Sequence, residues 1–265
     1  MRMTEFVTSA DGTRIAFERI GSGEALIVVG GLFCDRQSFR PLAEQLAAQV
    51  QAISYDRRGR GNSGDTLPYS VEREIEDLAA LIAAAGGSAS VYGHSSGAAL
   101  ALEAAASGVP IRKLLLHEPP YGGDDEESQR DARQLAETVQ SAIAEGRHAE
   151  AIRAFLKASG MPPEMTDGPS RDARMLAIAP SMPYDFAVVG DTTRGGTIPV
   201  DRVRRIDAPT LVIAGGASPE FFRETAQRLH ELLPNGTLTV LEGQDHGAPA
   251  EVVAPVITDF VNREA

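Results

Sequence analysis

Apolar and polar positions along this chain switch between two rhythms. "ALIVVGG" (25–31) is an unbroken apolar run, the mark of a strand covered on both faces. "SFRPLAEQLAAQ" (38–49) then leads Leu42, Leu46 and Val50 at four-residue spacing, which predicts a helix. "VQAISYD" predicts a strand, residues 71–85 an amphipathic helix through Val71, Ile75, Leu78 and Ile82, and "ASVYGH" a short strand. "SGAALALEAAA" reads as a helix of very small residues and "IRKLLLHE" as a strand. This alternation from 26 to 118 predicts a parallel sheet with right-handed crossovers. Ahead of it, two β-rich runs around Asp11-Gly12 predict a hairpin.

The rhythm breaks at Pro119-Pro120. Residues 121–200 hold no convincing strand, only helical stretches near 129–145, 148–159 and 171–179 among many Pro and Gly; the charge run "DDEESQRD" reads as a solvated face. Alternation resumes with "PTLVIAG", "PEFFRETAQRLHELL", "TLTVLEG" and "EVVAPVITDFV". The expected organisation is one α/β core from 1–120 and 201–265, with 121–200 inserted as a helical cap. Ligands of open α/β sheets bind beyond the carboxyl ends of the strands, so the cap is expected to roof the site.

Composition narrows the function. The 265 residues carry a net charge of −12, which argues against nucleic acid and against an anionic membrane surface. No eighteen-residue apolar stretch and no signal-peptide core are visible, so a cytoplasmic protein with no membrane partner is expected. The single cysteine, Cys34, excludes an internal disulfide and fits a reducing compartment. It reads as small packing rather than a second nucleophile, because no base neighbours it. "GRGNSG" (59–64) has dinucleotide-type glycine spacing but opens no helix, and no H-x-x-H or C-x-x-C pair exists. No cofactor and no metal are therefore expected, and the partner is a small-molecule substrate. The basic "DRRGR" (56–60) reads as a loop stapled by salt bridges of Asp56. Oligomeric state is left open.

The chemistry concentrates at "VYGHSSGAAL" (91–100), which fits G-x-S-x-G with a strand before it and a helix after it. A nucleophile on so sharp a turn needs neighbours two residues away without bulky side chains, and Gly93 and Gly97 meet that need around Ser95. The following helix directs its N-terminal N–H groups at developing negative charge.

With that elbow, the chain resembles the α/β-hydrolase family along nearly its whole length. "YDRRGRGNSGD" (55–65) is similar to the family's D-x-R-G-x-G-x-S loop, "GLFCDRQSFRPLAEQL" to its oxyanion loop and first helix, and "LEGQDHGAP" to its histidine segment. The resemblance implies a mostly parallel eight-stranded sheet flanked by helices, a helical cap after strand six, and a nucleophile–acid–histidine order. His246 is the candidate base, the one histidine on a Gly-flanked loop between a late strand and the final helix. The resemblance places the oxyanion donors at the backbone N–H groups of Ser96 and Leu32, with Gly30-Gly31 where the family commonly has His-Gly.

The acid is displaced. Ser218 occupies the family's usual acid position after strand seven and cannot carry the charge, while Glu220 reads as a first-turn helix residue. Glu118, at the end of strand six, is the better candidate, since some haloalkane dehalogenases of the family take their acid from this strand end. Asp124, Asp125, Asp185 and Asp191 remain alternatives, as does a Glu118 with a purely structural role. Phe33, Tyr121, Met182, Tyr184 and Phe186 are candidate pocket residues. The expected activity is hydrolysis of a small carboxylic ester or lactone by a serine nucleophile. The alternatives are a lyase, a cyclase or a cofactor-free perhydrolase on the same fold, and a ligand-binding protein with a decayed site.

Overall fold

The structure, a computed structural model, describes residues 3–263, so the outermost two residues of each expected core range lie outside the described residues. Eight strands form one sheet in the order β1-β2-β4-β3-β5-β6-β7-β8. β1 (Glu5–Thr8) and β2 (Arg14–Ile20) are the expected hairpin, and both they and the β2–β4 pair run antiparallel. β3 (Ala25–Val29), β4 (Gln51–Tyr55), β5 (Ala89–His94), β6 (Ile111–His117), β7 (Thr210–Gly215) and β8 (Gly236–Leu241) pair in parallel.

The unbroken apolar run of β3 follows from burial on both faces. Its alternate residues Ala25, Ile27 and Val29 join one core cluster, and Leu26 and Val28 join the other. The first cluster holds Leu78, Leu81 and Ile82 of α2 (Val71–Ala84), Ala98 to Leu102 of α3 (Ser96–Ala106), and Ala226 and Leu229 of a helix spanning Glu220–Leu232. The second holds Leu42 and Leu46 of α1 (Arg40–Leu46) with Val253, Ile257 and Phe260 of the last helix, Ala250–Asn262. Edge strand β1 is mostly exposed, as its polar residues require.

α1 and α3 therefore lie on opposite faces of the sheet, although the strands that precede them, β3 and β5, are neighbours. The loops leaving those two strands must part, which opens a crevice at their carboxyl ends, the topological switch point of such sheets. The switch point is where the chemistry-bearing residues gather.

Between β6 and β7 the described chain is helical: α4 (Glu126–Ala144), α5 (His148–Ala158), α6 (Ala173–Ile178), α7 (Met182–Val189), α8 (Asp191–Arg194) and α9 (Val200–Val203), joined by short 3₁₀ turns. α4 begins where Asp125 accepts a hydrogen bond from the Ser128 N–H at 2.8 Å. This segment has an apolar cluster of its own, including Val139, Ile152, Met182 and Phe186, with Leu32 and Phe33 of the β3 loop packed against it. α10 (Glu220–Leu232) and α11 (Ala250–Asn262) complete the fold. Among the described residues no helix is long and apolar enough to cross a membrane.

Candidate active site

Three non-glycine residues among those described have positive φ: Phe33 (59°), Ser95 (56°) and Glu118 (48°). They follow β3, β5 and β6, three adjacent strands. Such conformations are strained and persist only where the surroundings over-determine them, typically at functional sites. Here the glycines of the elbow provide the room. A Cβ on Gly93 would lie 2.5 Å from the Ala98 Cα, and one on Gly97 would collide with the Val29 carbonyl. Helix α3 consequently sits against β3 and β5 with Ser95 at its N-cap position.

Glu118 is fully buried, and its two carboxylate oxygens have separate tasks. Oε1 accepts the Gly215 N–H at 2.6 Å, and Oε2 meets Nδ1 of His246 at 2.6 Å. Burial pushes the Glu118 carboxyl up, but the hydrogen bonds from His246 and Gly215, with the Ser218 hydroxyl beside it, outweigh that and hold it below its ordinary value. The Ser218 hydroxyl itself, though close enough to contribute, makes no hydrogen bond of good geometry. An ionised carboxylate can only accept, so Nδ1 of His246 carries a proton, and in the neutral ring the lone pair is therefore on Nε2.

His246 is held on three sides. Its ring stacks on Phe222 at 4.6 Å with a 16° tilt, and His94 lies 4.5 Å away on centroids. His94 Nε2 contacts the backbone carbonyl of His246 at 2.9 Å. A carbonyl cannot donate, so His94 carries its proton on Nε2. Burial, with the imidazoles of His117 and His246 nearby, pushes His94 well below the usual imidazole range, so it stays neutral beside the candidate base. Burial likewise pushes His117 down to about 4.

Ser95, His246, Leu32, Ser96 and Phe186 share one cavity of roughly 970 Å³. The N–H groups of Leu32 and Ser96 find no acceptor among the described residues, which leaves both available to a bound oxyanion. Cys34 also lines the cavity, with its thiol pushed up by burial, the opposite of nucleophile activation.

Several expectations need correction. Of the five candidate pocket residues only Phe186 lines the cavity. Tyr121 is fully buried in the main sheet core, and Met182 in the apolar cluster of the helical segment. The Tyr184 ring stacks on Tyr69 at 3.8 Å, and Phe33 sits edge-on to Phe155 at 5.8 Å. The rings follow the helices that bury them, and sequence periodicity could not tell a core face from a cavity face there. Asp56 does staple its loop, but to Arg36 and the Asn62 N–H, while Arg57, Arg58 and Arg60 are buried on other carboxylates. Asp124 and Asp125 are engaged by Arg228 and the α4 cap, and Asp185 by Arg57 and Arg60, so none of them reaches His246. Asp191 lines the cavity, and its burial pushes the carboxyl up to about 7. Phe222 was not read from sequence; its signal is the Phe221-Phe222 pair opening α10 directly after the position of the missing acid.

Comparison with known proteins bears on the fold and the family. A crystal structure of an alpha/beta hydrolase from Sphaerobacter thermophilus is 46% identical over 97% of this chain and 100% of that one, with a TM-score of 0.86. An esterase from Exiguobacterium antarcticum shares the fold at 19% identity, covering 98% of this chain and 100% of that one with a TM-score of 0.76. Among curated proteins, N-formylmaleamate deformylase of Pseudomonas putida is 38% identical over 120 residues, 43% of this chain and 45% of that protein's length. The sequence model described as "Alpha/beta hydrolase family" matches residues 26–256. The chain belongs to the alpha/beta hydrolase family.

Proposed function

We propose that this chain is a serine hydrolase that cleaves a small carboxylic ester or lactone through an acyl-enzyme intermediate. The observation that carries the reading is the 2.6 Å contact between Glu118 and Nδ1 of His246, in a site whose cavity also holds the strained Ser95. It fixes the one tautomer in which Nε2 can act as a base.

In the proposed reaction Ser95 Oγ attacks the carbonyl carbon while Nε2 of His246 takes its proton. The Leu32 and Ser96 N–H groups stabilise the tetrahedral oxyanion. His246 then protonates the departing oxygen as its bond to the acyl carbon breaks. A water, deprotonated by His246, attacks the acyl-enzyme; the acid leaves and Ser95 regains its proton. Glu118 remains ionised throughout and stabilises the imidazolium.

The cavity favours a neutral acyl group. It is lined by apolar residues such as Leu135, Phe155, Val189 and Phe221, and among the described residues no Lys or Arg lines it. The partial match to a deformylase supports one further substrate type for the same chemistry, an N-formyl amide. The test is steady-state kinetics on a panel of nitrophenyl esters, lactones and an N-formyl amide, with Ser95→Ala as control. Turnover of a neutral ester that vanishes in a folded Ser95→Ala variant supports the reading. Equal turnover by the two proteins ends it.

A further inference from the structure

At the wall of the cavity, which Asp185 itself lines, is a buried ionic cluster that no step above uses. Arg57, Arg60 and Asp185 are 2%, 1% and 4% exposed, so each charge is almost wholly withdrawn from water. Asp185 Oδ1 accepts from Nη1 of Arg57 at 2.6 Å and from the hydroxyl of Ser96 at 2.6 Å, while its Oδ2 pairs with Arg60. Arg60 donates from Nη1 to the Gly31 carbonyl at 2.7 Å and from Nε to Ser181 at 3.0 Å. Arg57 reaches the Gly30 carbonyl at 3.4 Å and pairs with Glu74.

The Gly31 carbonyl belongs to the same peptide unit as the Leu32 N–H. That unit is trans, and in a planar trans peptide the C=O and N–H point in opposite directions. A guanidinium that fixes the carbonyl on one side therefore aims the N–H on the other. The same Asp185 holds the side chain of Ser96, the residue whose N–H is the second donor. One carboxylate on α7 of the helical segment thus reaches both halves of the oxyanion hole, one through Arg60 and the other directly.

We propose that Arg60 and Asp185 are positioning residues for the oxyanion hole, with Arg60 orienting the Leu32 N–H through the Gly31 carbonyl and Asp185 locking Arg60 and Ser96 into one register. Neither side chain touches the reacting atoms in this scheme. The cluster makes the helical segment part of the catalytic geometry as well as a wall of the pocket. Preorganised donors matter most in the transition state, so losing their aim lowers turnover rather than substrate binding. The inference rests on the serine-hydrolase reading.

The experiment compares wild type with Arg60→Lys, Asp185→Asn and Ser181→Ala. It measures kcat and KM on a nitrophenyl ester, inhibition by an alkyl boronic acid that forms a tetrahedral adduct on Ser95, and thermal melting. Arg60→Lys keeps the charge but lacks the fork that spans the Gly31 carbonyl, Ser181 and Asp185. For Arg60→Lys and Asp185→Asn the expected result is a kcat lower by about tenfold to a hundredfold, with KM within about twofold. Boronate affinity is expected to fall by the same factor as kcat. Ser181→Ala removes only one hydroxyl and keeps the test valid if the charge variants do not fold; a drop of a few fold in the same two quantities is expected. A folded Arg60→Lys, or Ser181→Ala, with unchanged kcat and boronate affinity overturns the inference, and so does a rise in KM alone. A wild type without ester turnover overturns the serine-hydrolase reading as well, whereas an active wild type matched by its variants overturns this inference alone.

Discussion

The carboxylate of Glu118 and the imidazole of His246 meet at 2.6 Å across 128 residues of chain. The family's usual acid position after β7 is held instead by Ser218, which is 2% exposed and sits next to Glu118. The carboxylate reaches the ring from the neighbouring strand because β6 and β7 are adjacent and parallel, so their ends open on the same edge. Its second oxygen is tied to Gly215 at the end of β7. Glu118 thus meets the ring from one strand over, while Ser218 after β7 offers it no carboxylate.

Replacing Glu118 by Gln keeps the shape but allows the amide to donate to Nδ1, which favours the wrong tautomer. We expect Glu118→Gln to lower kcat by about 10³–10⁴ by analogy with the loss of a triad acid. Stopped-flow or steady-state ester assays on the folded variant check this. Unchanged rates assign Glu118 to structure.

His94 holds the backbone of the histidine loop through its contact to the His246 carbonyl. His94→Gln loosens that loop without removing any reacting group. A fall in kcat of about tenfold or more is expected, since small misplacements of a catalytic group are expensive. Labelling of Ser95 by a fluorophosphonate is expected to slow in parallel, because in the proposed mechanism the same base activates the serine. A variant slowed in neither assay denies His94 this role.

Gly97 admits no side chain, since its Cβ would strike the Val29 carbonyl. Gly97→Ala must push α3 away from the sheet, an overpacking that costs about 1–3 kcal/mol. In a chain of this size that lowers Tm by several degrees, roughly 2–4 °C per kcal/mol. Calorimetry of the two proteins gives the comparison; equal Tm values contradict the packing described for the elbow.

The buried histidines set an acid limit on stability. His117 titrates near 4 in the folded chain but near 6.5 when unfolded, so between those values the unfolded state binds the extra proton. Its contribution is complete above about pH 6.5 and is lost as pH falls toward 4, on the order of 3 kcal/mol in all. Urea denaturation at pH 7 and pH 4.5 should show wild type losing more stability than His117→Asn. Identical losses in the two proteins contradict a neutral, buried His117.

Much of the fold was legible because its signals are local. β3 is apolar at every position and β7 at every position after Thr210 since both faces are covered, and every residue of Ala25–Val29 and Thr210–Gly215 is buried. The elbow was legible because the strain at Ser95 needs glycines at fixed spacing, and His246 because its loop is flanked by Gly243 and Gly247. The region between β6 and β7 was harder. α7 reads "MPYDFAVV", apolar on nearly every side because it lies between α3 and the other helices, so it shows no amphipathic stripe. The same burial turned Tyr121 and Met182 into core residues. Arg57 and Arg60 read as part of a loop stapled by Asp56, because the carboxylate they share, Asp185, lies more than a hundred residues downstream. The single acid within α7 was the available signal of that pairing.

The most direct measurement is mass spectrometry of the protein quenched in acid within milliseconds of mixing with a turned-over ester. The account predicts a mass increase equal to the acyl group, mapped to the peptide containing Ser95, which accumulates in Glu118→Gln only as slowly as its kcat allows and is absent from Ser95→Ala. Turnover with no acyl adduct at any time, or an adduct on another residue such as Cys34, contradicts it.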